Sequence, residues 1–248
     1  AVRILLADAL EPDHRIGGSV HAVVLSAESC LVANAWICGE YVQTRQSQII
    51  AAVQQHVLLT VVSLALGIVL SFPLALVARL SPALKGFVLG ASTAVYSVPS
   101  LALFAILLPV TGITQTTVVI GLVLYSLTIL VRAIVDGLES VPDEVVDAAS
   151  GMGFGRVSLL LRVRMPLALP TFFAGLRVAT VSTVALVTIG FVVGYGGLGN
   201  LINDGLQTYF RAEVLTATVL CVVLAVLADL VVVGMERVAT PWRRRGRA

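Results

Sequence analysis

The sequence predicts an all-α, polytopic membrane protein with five transmembrane helices. Three observations carry this. First, 58% of the 248 residues are hydrophobic and only 12% are charged, too little polarity to clothe a soluble core of this size. Second, residues 86–131 contain no Asp, Glu, Lys, Arg or His. A span takes about 20 residues, so this stretch holds two helices and a turn. Third, the basic residues cluster by position, as they do in chains with a fixed orientation in the bilayer.

The spans follow in order. Residues 57–78 form the first, ended by RLSPALKG. The second and third share residues 86–131 and meet at the turn PVTGITQTT, residues 109–117. Residues 170–193 form the fourth and 214–235 the fifth. Gly67, Pro73, Pro99, Gly121 and Gly190 fall inside them, as is usual in packed membrane helices.

Orientation follows from arginine and lysine. With the polar stretch 143–170 in the cytoplasm, Arg79, Lys85, Arg156, Arg162, Arg164, Arg237 and the tail residues Arg243, Arg244, Arg245 and Arg247 all lie inside. Arg132 is near the same face, while Arg3, Arg15, Arg45 and Arg211 fall outside. The chain therefore has its C-terminus inside and its N-terminus outside, in the cytoplasmic membrane. Residues 1–45 read as an extracytoplasmic or interfacial segment, 46–237 as the membrane domain and 238–248 as a basic cytoplasmic tail. Residues 22–39 are apolar but carry Glu28 and Asn34, which favours an interfacial or re-entrant helix over a sixth span. Residues 1–40 show no basic segment followed by an apolar one, so no signal peptide is expected.

Cys30 and Cys38 would stand about 12 Å apart on a helix, too far to bridge, so a disulfide would need a turn between them. Cys221 reads as a small residue packed in an apolar run. No C-x-x-C occurs and His14, His21 and His56 are scattered, so no metal site is expected. The formal charge of +2 gives no reason to expect a nucleic-acid partner.

The polar stretch DEVVDAASGMGFGRVSLLLRVRMPLALP reads as two short helices. Ser140 can cap the first, Pro142 suits its first turn, and Asp143 and Glu144 suit its dipole. Gly151 and Gly153 end it. The second runs over residues 155–164, and Pro166 stops it.

This stretch resembles the signature of permease subunits of ABC importers: Glu-Ala-Ala, three residues, Gly, nine residues, Ile, one residue, Leu-Pro. Here Asp147-Ala148-Ala149 is followed at the same spacings by Gly153, Val163 and Met165-Pro166. The resemblance covers residues 45–237. SVPSLALFAILLPVTGI, VLYSLTILVRAIVDGLESVPDEVVDAASGMG, PLALPTFFAGLRVATV and GYGGLGNLI are similar to the branch importing quaternary-amine osmoprotectants: glycine betaine, carnitine, choline and proline. Methionine importers share the Gly-Gly-Leu-Gly element. The resemblance implies a type I permease domain over 46–237 that docks through Asp147, Ala148, Ala149, Gly151, Gly153, Val163 and Pro166. It implies two ATPase subunits, a second permease copy or paralogue, and an extracytoplasmic solute-binding protein.

No G-x-x-x-x-G-K-[ST] motif occurs, so this chain is not expected to be an enzyme. ATP and magnesium belong on the partner ATPase. Gly194-Tyr195-Gly196-Gly197-Leu198-Gly199 matches G-x-G-x-x-G but follows a membrane helix, not a strand, so a dinucleotide site is rejected. It reads instead as an outer loop leading into the short helix NLINDGLQTYF, either an outer gate or a packed connection. Arg177 and Asp229 each lie about seven residues, roughly 10 Å, from the cytoplasmic ends of their spans. They either pair with one another or are met separately by solvent or a partner. Tyr96, Ser97 and Tyr125 are candidates to line the solute path, where aromatic faces can meet a quaternary ammonium; helix packing explains them as well. The remaining alternatives are import of methionine or another small solute and, in a different class, a non-transporting membrane scaffold. A scaffold has no use for a motor-docking turn.

Overall fold

The computed structural model describes residues 29–242, and every regular element among them is helical. A short α1 (Gly39–Thr44) precedes α2 (Gln46–Ala78). Next come α3 (Pro82–Tyr96), α4 (Ser100–Thr111) and α5 (Gln115–Glu139). The polar interruption holds α6 (Asp143–Gly151) and α7 (Arg156–Leu159). A π-helical turn, Leu160–Arg164, leads into α8 (Met165–Val187), which tightens into a 3-10 turn, Thr188–Val193. The chain then forms α9 (Leu198–Gln207) and α10 (Arg211–Ala239). The expectations for residues 1–28, Arg3 and Arg15 included, and for the tail arginines 243, 244, 245 and 247 lie outside the described residues.

Four helical runs are long and apolar enough to cross a membrane: Gln46–Ala78, Gln115–Glu139, Arg156–Val193 and Arg211–Ala239. The pair α3 and α4, bent by 96°, makes a fifth candidate when the two are taken together as one broken span. The expected second span is thus two half-helices. Pro99 has no N–H to continue α3 and disfavours helical geometry at Val98. The Val98 carbonyl freed by the break accepts the Tyr125 hydroxyl of α5, which satisfies a backbone group that lipid cannot.

Other boundaries also differ from the expectation. Hydropathy placed the start of the first span at residue 57, yet α2 begins at Gln46. Its 33 residues extend about 50 Å, against a hydrocarbon core of about 30 Å. Hydropathy marks only the part in lipid, and the helix continues beyond it. Ser140 does not cap α6. Its N–H and hydroxyl bond back to Asp136 and Gly137, closing α5. Pro166 does not stop a helix, and the fourth span does not begin at Pro170. Both prolines lie within the run Arg156–Val193. The wide turn Leu160–Arg164 relaxes the backbone just ahead of Pro166, where the ring would otherwise meet a preceding carbonyl.

The expected helix over residues 22–39 is absent from its described part, which forms turns. Asn34 takes a left-handed conformation (φ 48) and folds the chain back. This brings the Cα atoms of Cys30 and Cys38 to 5.5 Å, and the two cysteines form a disulfide. The turn that bonding requires is present. Glu40 lies beside them, but both sulfurs are committed to each other.

The subunit is built around α5, which packs on α2, α8, α3 and α4. Small residues allow close approach: Gly67 lies against Ser126, Gly175 against Ala133 and Gly137 against Ala168. In contrast, α10 turns Val222, Val226, Leu227, Leu230 and Val231 outward. This face suits lipid or another subunit.

Candidate coupling surface and outer loop

The two ends of the helical bundle carry different chemistry. At one end, Asp143 and Glu144 occupy the first turn of α6, where the helix dipole favours negative charge. The far end closes by two backbone bonds. Phe154 N–H donates to Ala149 carbonyl at 3.2 Å, and Gly153 N–H to Ser150 carbonyl at 3.0 Å. Gly153 adopts φ 86, the left-handed geometry this closure requires. Gly151 remains inside α6 as its last residue, so only one of the two glycines predicted to end the helix does so by that geometry. Met152, 72% exposed, projects from the tip.

The alanine pair divides. Ala149 is buried and packs within the subunit, while Asp147 and Ala148 face outward beside Ser150 and Gly151. The resemblance places both alanines on the docking surface; in the subunit Ala149 instead shares with half-buried Val146, three positions before it, the face of α6 turned inward. Val163 and Pro166 are half-buried in the return leg toward α8 and do not share that exposed face.

At the opposite end, Gly194 (φ 79) and Gly197 (φ 56) turn the chain from the 3-10 turn into α9. Asn200 clips this loop, accepting from Gly196 N–H and donating to Gly194 carbonyl, both at 3.0 Å. Gly197 N–H donates to Gln55 Oε1 at 3.0 Å, and Gly199 rests on the Thr188 backbone. Below it, His56 is fully buried, with Nε2 3.0 Å from Val184 carbonyl. Sequence reading found the glycines but missed Gln55, His56 and Asn200. Their only signal is polarity inside otherwise apolar or loop sequence.

The disulfide-closed turn docks beside this loop. Asn34 donates to Tyr209 carbonyl at 2.8 Å and accepts from Arg211 N–H at 2.9 Å. Arg211 stacks over Trp36 at 5.6 Å, and the Tyr41 and Phe210 rings meet at 5.3 Å. Burial, reinforced by Glu213, raises the Tyr41 hydroxyl above its ordinary range, so it stays protonated at neutral pH.

Within the spans, Arg177 Nε and Nη2 donate to Asp229 Oδ1 and Oδ2, each at 2.8 Å. The fork joins α8 to α10 on the outer surface of the subunit. Reversing Arg177 alone to Asp is expected to lower the amount of folded protein in membranes, because two carboxylates then face each other. The double exchange, Arg177→Asp with Asp229→Arg, is expected to restore it. Immunoblotting and thermal melting check this, and equal damage in the single and double variants contradicts it.

Tyr96 and Tyr125 form an edge-to-face pair at 5.7 Å. Tyr125 is buried and its hydroxyl is held by Val98, whereas Tyr96 is 47% exposed and presents a free aromatic surface. Ser97 bonds back to Thr93 carbonyl at 2.9 Å. Of the three path candidates, only Tyr96 offers an open ring.

Residues 44–245 match the family described as binding-protein-dependent transport system inner membrane component. The chain is 30% identical over 208 residues to the glycine betaine/carnitine/choline transport system permease protein OpuCD of Bacillus subtilis, covering 84% of this chain and 91% of that protein. It is 30% identical over 207 residues to the carnitine transport permease protein OpuCD of Listeria monocytogenes, covering 83% and 93%. A 145-residue part is 39% identical to the ergothioneine transport permease/ergothioneine binding protein EgtU of Helicobacter pylori, covering 58% of this chain and 26% of that protein. Among solved structures, the inward-facing MetNI methionine ABC transporter superposes with a TM-score of 0.73 at 21% identity, covering 80% of this chain and 99% of the matched one. At that identity the likeness shows the fold alone. The family match spans most of the chain, and four candidate spans, a bent helix pair that makes up to a fifth and a polar two-helix interruption accompany it: the chain belongs to the inner-membrane components of binding-protein-dependent transport systems, the permease subunits of ABC importers.

Proposed function

We propose that this chain is the permease subunit of an ATP-driven importer of quaternary-amine osmoprotectants: glycine betaine, carnitine, choline and proline. The observation that carries the substrate class is the 30% identity, over nearly the whole length, to permeases named for glycine betaine, carnitine and choline transport. A methionine importer has in its favour the shared Gly-Gly-Leu-Gly element and a likeness of fold at 21% identity.

The working assembly is two permeases, two ATPase subunits and an extracytoplasmic binding protein. The α6 end faces the cytoplasm. Arg79, Lys85, Arg156, Arg162 and Arg164 gather in the segments that make this end, as the positive-inside tendency requires. The Cys30–Cys38 disulfide lies with the outer loop, which suits an oxidising exterior.

Asp147, Ala148, Gly151 and the tip at Met152 and Gly153 form the motor-docking face, and Val163 and Pro166 support its return leg. ATP, with magnesium, closes the partner dimer and moves α6. The continuous helix from Arg156 to Val193 carries that movement to the outer loop at Gly194, Gly196, Gly197 and Gly199. The loop opens, and solute passes from the binding protein into a path between two permeases. Tyr96 offers its ring to the quaternary ammonium by cation–π attraction.

The test is uptake of labelled glycine betaine at high osmolarity, in cells lacking the chain and in cells with it restored. Uptake is expected to depend on the chain and to be competed by choline or carnitine. Chain-dependent methionine uptake with no effect on betaine would overturn the substrate while retaining the importer.

A further inference from the structure

Two cavities at the α6 end share one wall residue, Leu160. One, of about 340 Å³, is lined by Arg79, Arg156 and Arg164, with Ser150 and Phe154 of the α6 turn. The other, of about 180 Å³, is lined entirely by apolar side chains, among them Phe72, Leu76, Leu161, Met165, Leu169 and Phe172. The π-helical turn Leu160–Arg164 contributes to both; such wide turns often mark functional positions.

No described carboxylate neutralises the three guanidinium groups. No ion pair or side-chain hydrogen bond joins Arg79, Arg156 or Arg164 to a described residue. Arg164 Nε is buried without a partner. Arg79 feels Glu139 from a distance, but both oxygens of that carboxylate are held by Lys85 at 2.7 Å. Burial and the neighbouring Arg164 charge push the Arg79 pKa down. Arg79 and Arg164 are half-buried and Arg156 stands exposed at the mouth of the cleft, and like charges gathered in a partly desolvated cleft are costly unless an anion sits among them.

The cluster's position narrows the anion. Arg79 directly follows the last residue of α2, and Arg156 opens the run that becomes α8. The cleft therefore lies where a span leaves the hydrocarbon, at headgroup level, and the adjoining apolar groove runs between α2, α5 and α8. Guanidinium forks match phosphate oxygens, and basic pockets between membrane helices take anionic headgroups. A soluble anion explains the arginines but not the groove.

We propose that this is a binding site for an anionic phospholipid, its phosphate held by Arg79, Arg156 and Arg164 and an acyl chain lying along the groove from Phe72 to Phe172. Assigning the lipid to the inner leaflet rests on the orientation proposed above; the site itself does not depend on the transported solute. The headgroup touches the closing turn of α6 through Ser150 and Phe154.

The test is native mass spectrometry of the full chain purified in detergent, offered equal amounts of dioleoylphosphatidylglycerol and dioleoylphosphatidylcholine. The wild type is expected to retain the phosphatidylglycerol at least tenfold over the phosphatidylcholine. The pair Arg79→Gln with Arg164→Gln is expected to bring the ratio close to one, and Arg79→Lys with Arg164→Lys to keep most of the preference. A melting curve verifies that each variant is folded. Equal retention by the wild type overturns the proposal, as does a preference that survives in the folded glutamine variant. Millimolar inorganic phosphate that displaces dioctanoyl and dioleoyl lipids alike would assign a free-phosphate site and overturn the lipid reading. Loss of ATPase-subunit binding in the glutamine variant with the lipid preference intact would assign the arginines to an acidic partner, with the same consequence.

Discussion

Replacing Gly153 with valine is expected to abolish chain-dependent uptake and transport-coupled ATP hydrolysis, while the protein still inserts and keeps its membrane topology. Gly153 sits at φ 86, where an L-residue costs roughly 1–2 kcal/mol and a β-branched one is the worst accommodated. Relief of that strain breaks the two bonds to Ala149 and Ser150, each worth about 0.5–1.5 kcal/mol. A Cβ at this position meets nothing within 4 Å. The damage is therefore one of backbone direction, confined to the tip of α6, and the bundle has no reason to unfold. Uptake is expected to fall at least tenfold with normal membrane content on an immunoblot. Gly153→Asn, which tolerates the left-handed region, should retain much of the activity. Gly155→Ala is the contrasting control. Gly155 lies just beyond the turn in an extended conformation with open space around it, so alanine fits there without strain and should leave uptake near normal. Equal loss in both positions would contradict the assignment of the turn to Gly153.

Gly199→Ala is expected to do comparable harm by a different route. A Cβ at Gly199 falls 2.1 Å from the Thr188 carbonyl oxygen and 2.5 Å from its Cα. These are backbone atoms that cannot rotate aside, so overpacking costs about 1–3 kcal/mol or more. The contact joins the 3-10 turn at the end of α8 to α9, and the loop between them also rests on His56 through Gly197. Thermal melting of the purified protein should show a lowered midpoint, and uptake should fall at least tenfold. Asn200→Ala should lower the melting midpoint by a comparable amount. It strands the buried Gly196 N–H and removes the clip on Gly194, a loss of about 1–3 kcal/mol. A Gly199→Ala protein that melts and transports like the wild type would contradict this packing.

These two glycines differ in how far the sequence discloses them. Gly153 lies in a local pattern whose closing bonds, Gly153 to Ser150 and Phe154 to Ala149, span three and five positions, so spacing alone locates the helix end. The Gly194–Gly199 loop is visible as a glycine cluster, but what holds it is not. Gln55 reaches Gly197 across 142 positions of sequence, and no local rule links them. The same limit explains the other differences. Apolarity counts crossings but cannot tell an uninterrupted span from α3 and α4, whose break depends on Tyr125 reaching Val98. Proline reads as a helix stop at Pro166 unless a wide turn precedes it, and nothing in LLRVR announces one. The Cys30–Cys38 bond rests on Asn34 adopting positive φ where the apolar run suggests a helix. Arg177 and Asp229 are the converse case. Two charges at equal depth in neighbouring spans have few partners to choose from, and the structure joins them at 2.8 Å.

The central claim is that the exposed tip of α6 receives the movement of an ATPase subunit. Met152, exposed at that tip, allows the most direct measurement: Met152→Cys in a Cys221→Ser background, cross-linked in membranes containing the partner ATPase. The account predicts a cross-link between this cysteine and the ATPase subunit whose yield changes with ATP, together with protection of the cysteine from a membrane-impermeant maleimide added outside. A cysteine that never cross-links to the ATPase, or one labelled from outside in intact cells, would contradict it.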